Sequence, residues 1–199
     1  GDLQVESSSL GAAVVHLHQE ADGSCLAVFA PGARGWIRDA DSGLALADDV
    51  GPPPGPGRVL TNLVGSLLAV TTGDGEVWTW DLSARRRGER PLLHPEPLTA
   101  MAAAPAGDRL LTCGHDGLVR LWNLDDGRIV FDIPCHDEIA WAGFGPSGEV
   151  FTLVSKPGEA RLHSSRDGSP VGEPFVHDGR DVPPACHPTG RLLACRGRD

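Results

Sequence analysis

Short apolar runs separated by glycine-containing turns follow one another along the chain. In residues 98–133, the runs LTAMAA, RLLTC, LVRLWNL and RIVFDI are interrupted by the turn segments AG, HDG and DDG. Short runs of this kind are typical of strands, and glycine supplies the backbone conformation that tight hairpins need. The pattern therefore predicts an antiparallel meander of four strands.

The same pattern recurs with a constant period. Five equivalent glycines, Gly23, Gly65, Gly107, Gly148 and Gly190, are separated by 42, 42, 41 and 42 residues. Trp80 and Trp122 keep the same distance of 42. A single four-stranded sheet cannot bury both of its faces, so neighbouring units are expected to stack against each other. Four strands in a repeat of about 42 residues are typical of a propeller blade.

Several motifs carry a family resemblance. They are Asp74-Gly75 before Trp80-Asp81, Asp116-Gly117 before Trp122-Asn123, and the x-Pro-x-Gly turns at Pro105, Pro146 and Pro188. In these residues the chain resembles the WD-repeat family, and the segments DGSPVGEPFVHDGRDV and PTGRLLAC are similar to degenerate WD repeats of high-GC bacteria. The resemblance implies an all-β fold, a β-propeller of four-stranded antiparallel blades, with four full blades and partial blades at both ends.

The period also predicts the blade boundaries within a single propeller segment. Residues 1–11 are the last strand of a preceding blade, full blades occupy 12–53, 54–95, 96–136 and 137–178, and 179–199 is a partial blade. Because both ends fall within blades, we expect a fragment of a longer protein whose other blades complete the ring. The tract Gly51–Gly57 leaves the period intact, which favours a stiff connection between blades over a domain boundary.

Composition and charge exclude several functions. The formal net charge of −10 argues against binding of a nucleic acid, which needs a basic face, and no apolar run approaches the roughly 20 residues of a membrane span. The five cysteines include no Cys-x-x-Cys pair. This favours reduced thiols and a cytoplasmic location over a disulfide framework.

The resemblance assigns a structural role to one set of polar residues. In that family a histidine, a serine or threonine, the turn aspartate and the third-strand tryptophan form a buried hydrogen-bond network. Here these are His94, Thr112 or Cys113, Asp116 and Trp122. A buried carboxylate needs donors, and an imidazole, a hydroxyl and turn amides can supply them.

Catalysis by a hydroxyl, His94 and Asp116 is the alternative interpretation of this set. Parts of the set recur in other repeats, namely Asp74 with Trp80, His136, and His177 with Asp199. Repetition favours structure, and no catalytic residue is predicted. Other blades depart from the motif, at Gly32 and Arg38, at Pro52 and at His163. We therefore expect the third blade to be the most rigid.

Two sets of residues are candidates for binding a metal, His16-Leu17-His18 and Cys135-His136-Asp137 with Cys186-His187. Neither has the spacing of a zinc module, and Cys25, Cys113 and Cys195 are predicted at equivalent second-strand positions, where a small apolar residue fits. We expect no metal and no cofactor.

These observations predict a non-catalytic scaffold for protein or peptide partners. The resemblance places Gly73, His115 and Arg198 on the interaction side, and an acidic chain favours a partner with basic groups. One alternative is the regulatory or sensor region of a bacterial serine/threonine kinase-type protein. A hydrolase or lyase with His16, His18 and Asp181 in the channel ranks last.

Overall fold

The computed structural model describes two sets of residues. Backbone and side chains are described at 64, 67–71, 75–81, 84, 87–156 and 158–176. The backbone alone is described at 16–19, 25–29, 35–39, 45–50, 60–63, 86, 185–186 and 193–194. All regular structure in these ranges is β-strand, which confirms the predicted all-β class.

The chain divides into two compact units, Gly1–Gly55 and Pro56–Asp199. The first contains one antiparallel sheet in sequential strand order. Its strands are β1 (His16–Gln19), β2 (Cys25–Phe29), β3 (Gly35–Asp39) and β4 (Ala45–Val50).

The second unit begins with a sheet whose outer strand is split. Strands β5 (Leu60–Val64), β6 (Leu67–Thr71) and β7 (Glu76–Asp81) pair in order, and β7 then pairs with both β8 (Arg86–Arg87) and β9 (Leu92–Leu93). Pro91, which has no amide hydrogen to donate, lies between the two pieces. Arg86 and Arg87 form β8, and the exposed Arg87 stacks its guanidinium over the Trp78 ring at 4.1 Å.

Two complete four-stranded sheets follow, each in sequential order. The first contains β10 (Leu98–Ala103), β11 (Arg109–Gly114), β12 (Leu118–Asn123) and β13 (Ile129–Pro134). The second contains β14 (Ile139–Phe144), β15 (Val150–Ser155), β16 (Glu159–Ser164) and β17 (Pro170–Val176). A two-stranded pair, β18 (Ala185–Cys186) with β19 (Leu193–Ala194), ends the described part of the chain.

The pairing register between the second and third strands is the same in all four larger sheets. The last residue but one of the third strand is Arg38, Trp80, Trp122 or His163, and its cross-strand partner is Leu26, Leu68, Leu110 or Phe151. This register separates two cysteines that were predicted to be equivalent. Cys25 begins its second strand, whereas Cys113 is the fifth residue of β11, so that prediction is wrong.

First strands are neighbours in the second unit, where β10 contacts both β5 and β14. The β10–β13 sheet is consequently buried on both faces. One face packs Leu111, Val119 and Leu121 against Phe151 and Leu153 of the following sheet. The other packs Leu110 and Trp122 against Ala69 and Val77 of the preceding sheet. The fourth strands β13 and β17 are largely exposed, as the outer strands of blades are.

Candidate functional site

Trp122 and Thr112 form a buried pair on the face of the β10–β13 sheet that meets the preceding sheet. The indole Nε1 of Trp122 donates to the Thr112 hydroxyl at 2.8 Å. Strand alternation puts Cys113 on the opposite face, in the other apolar cluster. Of the two residues weighed at this position, Thr112 therefore supplies the hydroxyl.

His94 and Asp116 meet where the segment before β10 crosses the preceding turn. The backbone amide of His94 donates to the Gly75 carbonyl at 2.9 Å, and the imidazole side chain is fully buried. Its Nδ1 lies 3.6 Å from Oδ2 of Asp116. Asp116 also accepts a hydrogen bond from the Leu118 amide through Oδ1 at 3.0 Å, which holds the β11–β12 turn.

Arg120, which the sequence interpretation did not include, completes this group. Its Nη1 lies 3.0 Å from Oδ2 of Asp116, and 2.9 and 2.6 Å from Nδ1 and Nε2 of His94. Its Nε lies 3.5 Å from Oδ1 of Asp132 on β13. The side chain is only 7% exposed, so the two carboxylates provide the charge compensation that a buried guanidinium needs.

The residues predicted as one network are therefore arranged as two groups. Trp122 with Thr112 forms one group, and His94 with Asp116 and Arg120 forms the other. Among the described residues, no side-chain hydrogen bond joins the Thr112 hydroxyl to the His94 imidazole. Arg120 lies directly opposite Thr112 in the strand register and occupies the intervening position.

Burial and charge keep His94 neutral. Burial lowers the pKa of His94, and the Arg120 guanidinium lowers it further, while Asp116, a backbone hydrogen bond at Leu118 and Asp132 oppose the shift. A neutral ring can both accept and donate between a cation and an anion. Because the imidazole and the Thr112 hydroxyl are buried and engaged, this arrangement suits holding a turn better than receiving a substrate.

His163 occupies the tryptophan position of the β14–β17 sheet in a different way. Its ring stacks on Phe151, with centroids 5.4 Å apart and planes inclined by 11°. Its Nδ1 lies 2.9 Å from the Gly168 carbonyl, which can only accept, so Nδ1 carries the hydrogen. Burial lowers the pKa of His163. The imidazole thus replaces the indole as a flat, neutral core group.

The other predicted site residues are not brought together. His115 is exposed at the β11–β12 turn, and its amide donates to the Pro97 carbonyl at 3.0 Å. His16 and His18 lie on β1, where only the backbone is described. Eight of the residues named in the sequence analysis as site candidates lie outside the described ranges: Gly73, Asp74, His177, Asp181, His187, Cys195, Arg198 and Asp199. Within those ranges, no three His, Cys, Asp or Glu residues are grouped so that they could hold a metal ion.

Replacing Gly114 with alanine should destabilise the His94 group by about 1–3 kcal/mol, the usual cost of overpacking. A Cβ at this position would overlap the His94 ring and lie 2.6 Å from Oδ1 of Asp116. Urea unfolding followed by far-UV circular dichroism measures the loss. Gly172→Ala is the control, because its added Cβ meets nothing within 4 Å and only its positive φ is strained. An equal or smaller loss for Gly114→Ala would contradict the close contact.

Acidification should reduce the free energy of unfolding as the pH falls from about 6.5, the ordinary imidazole value. His94 and His163 both have lowered pKa values in the folded protein. The unfolded chain therefore takes up protons first, and stability declines until the folded values are reached. Urea unfolding at pH 7.5 and 5.5 measures the slope. His163→Phe keeps a ring on Phe151 without titrating, so it should reduce the slope, and an unchanged slope would refute the contribution of His163.

Known proteins are similar to this chain in sequence over the repeat that contains these residues. The family model described as "WD domain, G-beta repeat" matches residues 92–123, which contain every residue of the two groups. Echinoderm microtubule-associated protein-like 2 of Homo sapiens is 35% identical over 65 residues, covering 33% of this chain and 10% of that protein. Protein groucho of Drosophila melanogaster is 27% identical over 125 residues, covering 54% and 17%. These matches support a WD40 repeat in the chain, which spans less than a fifth of either relative.

The described part of the chain contains no helix long and apolar enough to cross a lipid bilayer.

Proposed function

We propose that this chain is a non-catalytic scaffold that binds protein or peptide partners. The observation that carries the proposal is the burial of the His94, Asp116 and Arg120 group, which uses its charges to hold a turn while neighbouring His115 stays exposed. Sheets fixed in this way present their connecting loops at constant positions, and recognition commonly takes place on loops. The similarity to repeat segments of larger proteins supports the same function.

A site-specific photo-cross-linker tests this proposal. His115→p-benzoylphenylalanine places the reactive group on the exposed turn, and Ile129→p-benzoylphenylalanine places it on exposed β13 as the matched control. In cells of the source organism, position 115 should yield discrete protein adducts that position 129 does not. Absence of protein adducts at both positions would overturn the scaffold.

We also propose a second function, in which this region regulates a serine/threonine kinase-type domain of the same parent protein. The parent protein is then of bacterial type and cytoplasmic. The support is the resemblance of the segments DGSPVGEPFVHDGRDV and PTGRLLAC, in the fourth and fifth repeats, to degenerate WD repeats of high-GC bacteria. The coding sequence on both sides of this chain tests it. Kinase motifs upstream would support regulation, and repeats alone would leave a stand-alone scaffold.

A further inference from the structure

A groove of about 270 Å³ lies between the β10–β13 and β14–β17 sheets, along β16. Its lining combines apolar, thiol and charged side chains, chiefly Ile133, Cys135, Leu153, Glu159, Arg161 and His163. All of these residues belong to the second unit and are described. None of them forms the His94 group, which occupies the corresponding place one repeat earlier.

The backbone around the groove has the same hydrogen bond and strand register as the backbone around the His94 group one repeat earlier. The amide of Cys135 donates to the Gly117 carbonyl at 2.7 Å, just as the amide of His94 donates to Gly75. Arg161 is paired with Leu153 in the same register in which Arg120 is paired with Thr112. Cys135 therefore stands where the preceding repeat has His94, and the prediction that His136 repeats His94 is wrong.

Two side-chain groups of the β10–β13 repeat, an imidazole and a carboxylate, are missing from the β14–β17 repeat. A thiol replaces the imidazole, and the residue before the turn glycine is Asp116 in one repeat but Pro157 in the next. Burial and the nearby Asp137 raise the pKa of Cys135, so the thiol brings no charge. This repeat thus supplies neither the imidazole nor the carboxylate that its predecessor has at the equivalent sequence positions.

Arg161 has unused donors as a result. Arg120 is 7% exposed and lies near two carboxylates, Asp116 and Asp132. Arg161 is 40% exposed, and among the described residues its only ion pair is with Glu159 at 3.2 Å. The earlier repeat shows that one guanidinium in this position accommodates two carboxylates. Arg161 therefore has room for a second one.

His163, which also lines the groove, has one ring nitrogen that is used and one that is not. It is 6% exposed, and its Nδ1 hydrogen is used by the Gly168 carbonyl. In the neutral ring Nε2 is then an acceptor, and it has no hydrogen-bond partner among the described residues. A buried acceptor left unpaired costs free energy. The unpaired Nε2 therefore favours a ligand that carries an N–H group. A peptide has such a group, whereas a free carboxylate does not.

We propose that this groove binds an aspartate or glutamate side chain of a partner peptide. The carboxylate pairs with the free N–H groups of Arg161, and a peptide N–H of the same segment donates to Nε2 of His163. Because the chain has a net charge of −10, the anchoring acid belongs to a segment that is otherwise neutral or basic. The inference rests on the proposed scaffold function and specifies the chemistry of its partner.

Selection from a random peptide library displayed on phage, with the whole chain as bait, tests the proposal. The selected peptides should share one Asp or Glu position, and its replacement by Asn or Gln should weaken binding. Arg161→Ala should lower the affinity on the order of tenfold or more, since a charge-assisted hydrogen bond is lost. Arg166→Ala, an exposed arginine outside the groove, is the matched control and should bind as the wild type does.

A second variant fills the groove instead of removing its charge. Cys135→His with Pro157→Asp restores both missing groups, so it should fold at least as stably as the wild type and lose the acidic peptides. Peptides that bind Arg161→Ala or this double variant with unchanged affinity would overturn the acidic site but leave the scaffold function intact. Selection of no peptide at all, together with no cross-linked protein at position 115, would overturn both.

Discussion

Replacing Trp122 with alanine should lower the free energy of unfolding by about 3–5 kcal/mol, the range for large aromatic truncations in a core. The indole is 5% exposed and packs with Leu110 and with Ala69 of the preceding sheet. Its removal leaves a cavity between two sheets and deprives the fully buried Thr112 hydroxyl of its donor. Urea unfolding monitored by far-UV circular dichroism measures the change.

Two further variants separate the packing of Trp122 from its hydrogen bond. Thr112→Val keeps the shape of the side chain but leaves the indole N–H unpaired, so it should cost about 1–3 kcal/mol. Trp78→Ala removes a tryptophan that is only partly buried and stacks on exposed Arg87, so its loss should be smaller than that of Trp122→Ala. If Trp122→Ala cost no more than Trp78→Ala, the inter-sheet contact would not be the source of its stability.

Periodicity predicted the framework of these sheets because the positions involved depend on local geometry. Tight turns between strands require glycine at positive φ, as at Gly107 and Gly148, and the sequence repeats this glycine at intervals of 41 or 42 residues. The third-strand tryptophans mark a fixed register, which the pairing of Trp80 with Leu68 and of Trp122 with Leu110 displays. The blade boundaries at the two ends of the chain stay predictions.

The burial of Arg120 could not be read from the sequence in the same way. Arginine is usually exposed, and its burial here depends on Asp116 from a turn and Asp132 from the neighbouring strand. A signal was present, since Arg120 is two residues from Trp122 and must share its face of β12. The spacing places Arg120 on the buried face of β12, but it does not indicate which carboxylates compensate the charge of the guanidinium.

The groove beside Arg161 was missed for a different reason. Cys135 was considered as a metal ligand and not as the residue that replaces His94 one period later. The replacement of His by Cys and of Asp by Pro is visible in the sequence once residues 41 apart are compared. That a groove remains, instead of collapsing, depends on side chains from both sheets and emerges only from the packing.

Replacing Asp116 with alanine should cost about 3–5 kcal/mol, because it leaves the buried Arg120 without its nearest carboxylate. Asp132, 3.5 Å from Nε of Arg120 and 46% exposed, compensates only part of that charge. The turn also loses the hydrogen bond from the Leu118 amide. The free energy of unfolding in urea measures the loss.

The double variant Asp116→Ala with Arg120→Met should be more stable than Asp116→Ala alone. Replacing a buried ion pair by apolar side chains is often neutral, whereas leaving one charge unpaired is not. The wild type, Asp116→Ala, Arg120→Met and the double variant form a double-mutant cycle, which isolates the interaction between the two side chains. Equal stability of the single and double variants would indicate that Asp116 acts through the turn alone. A gain on removing the guanidinium would establish that the aspartate keeps a charge buried between two stacked sheets.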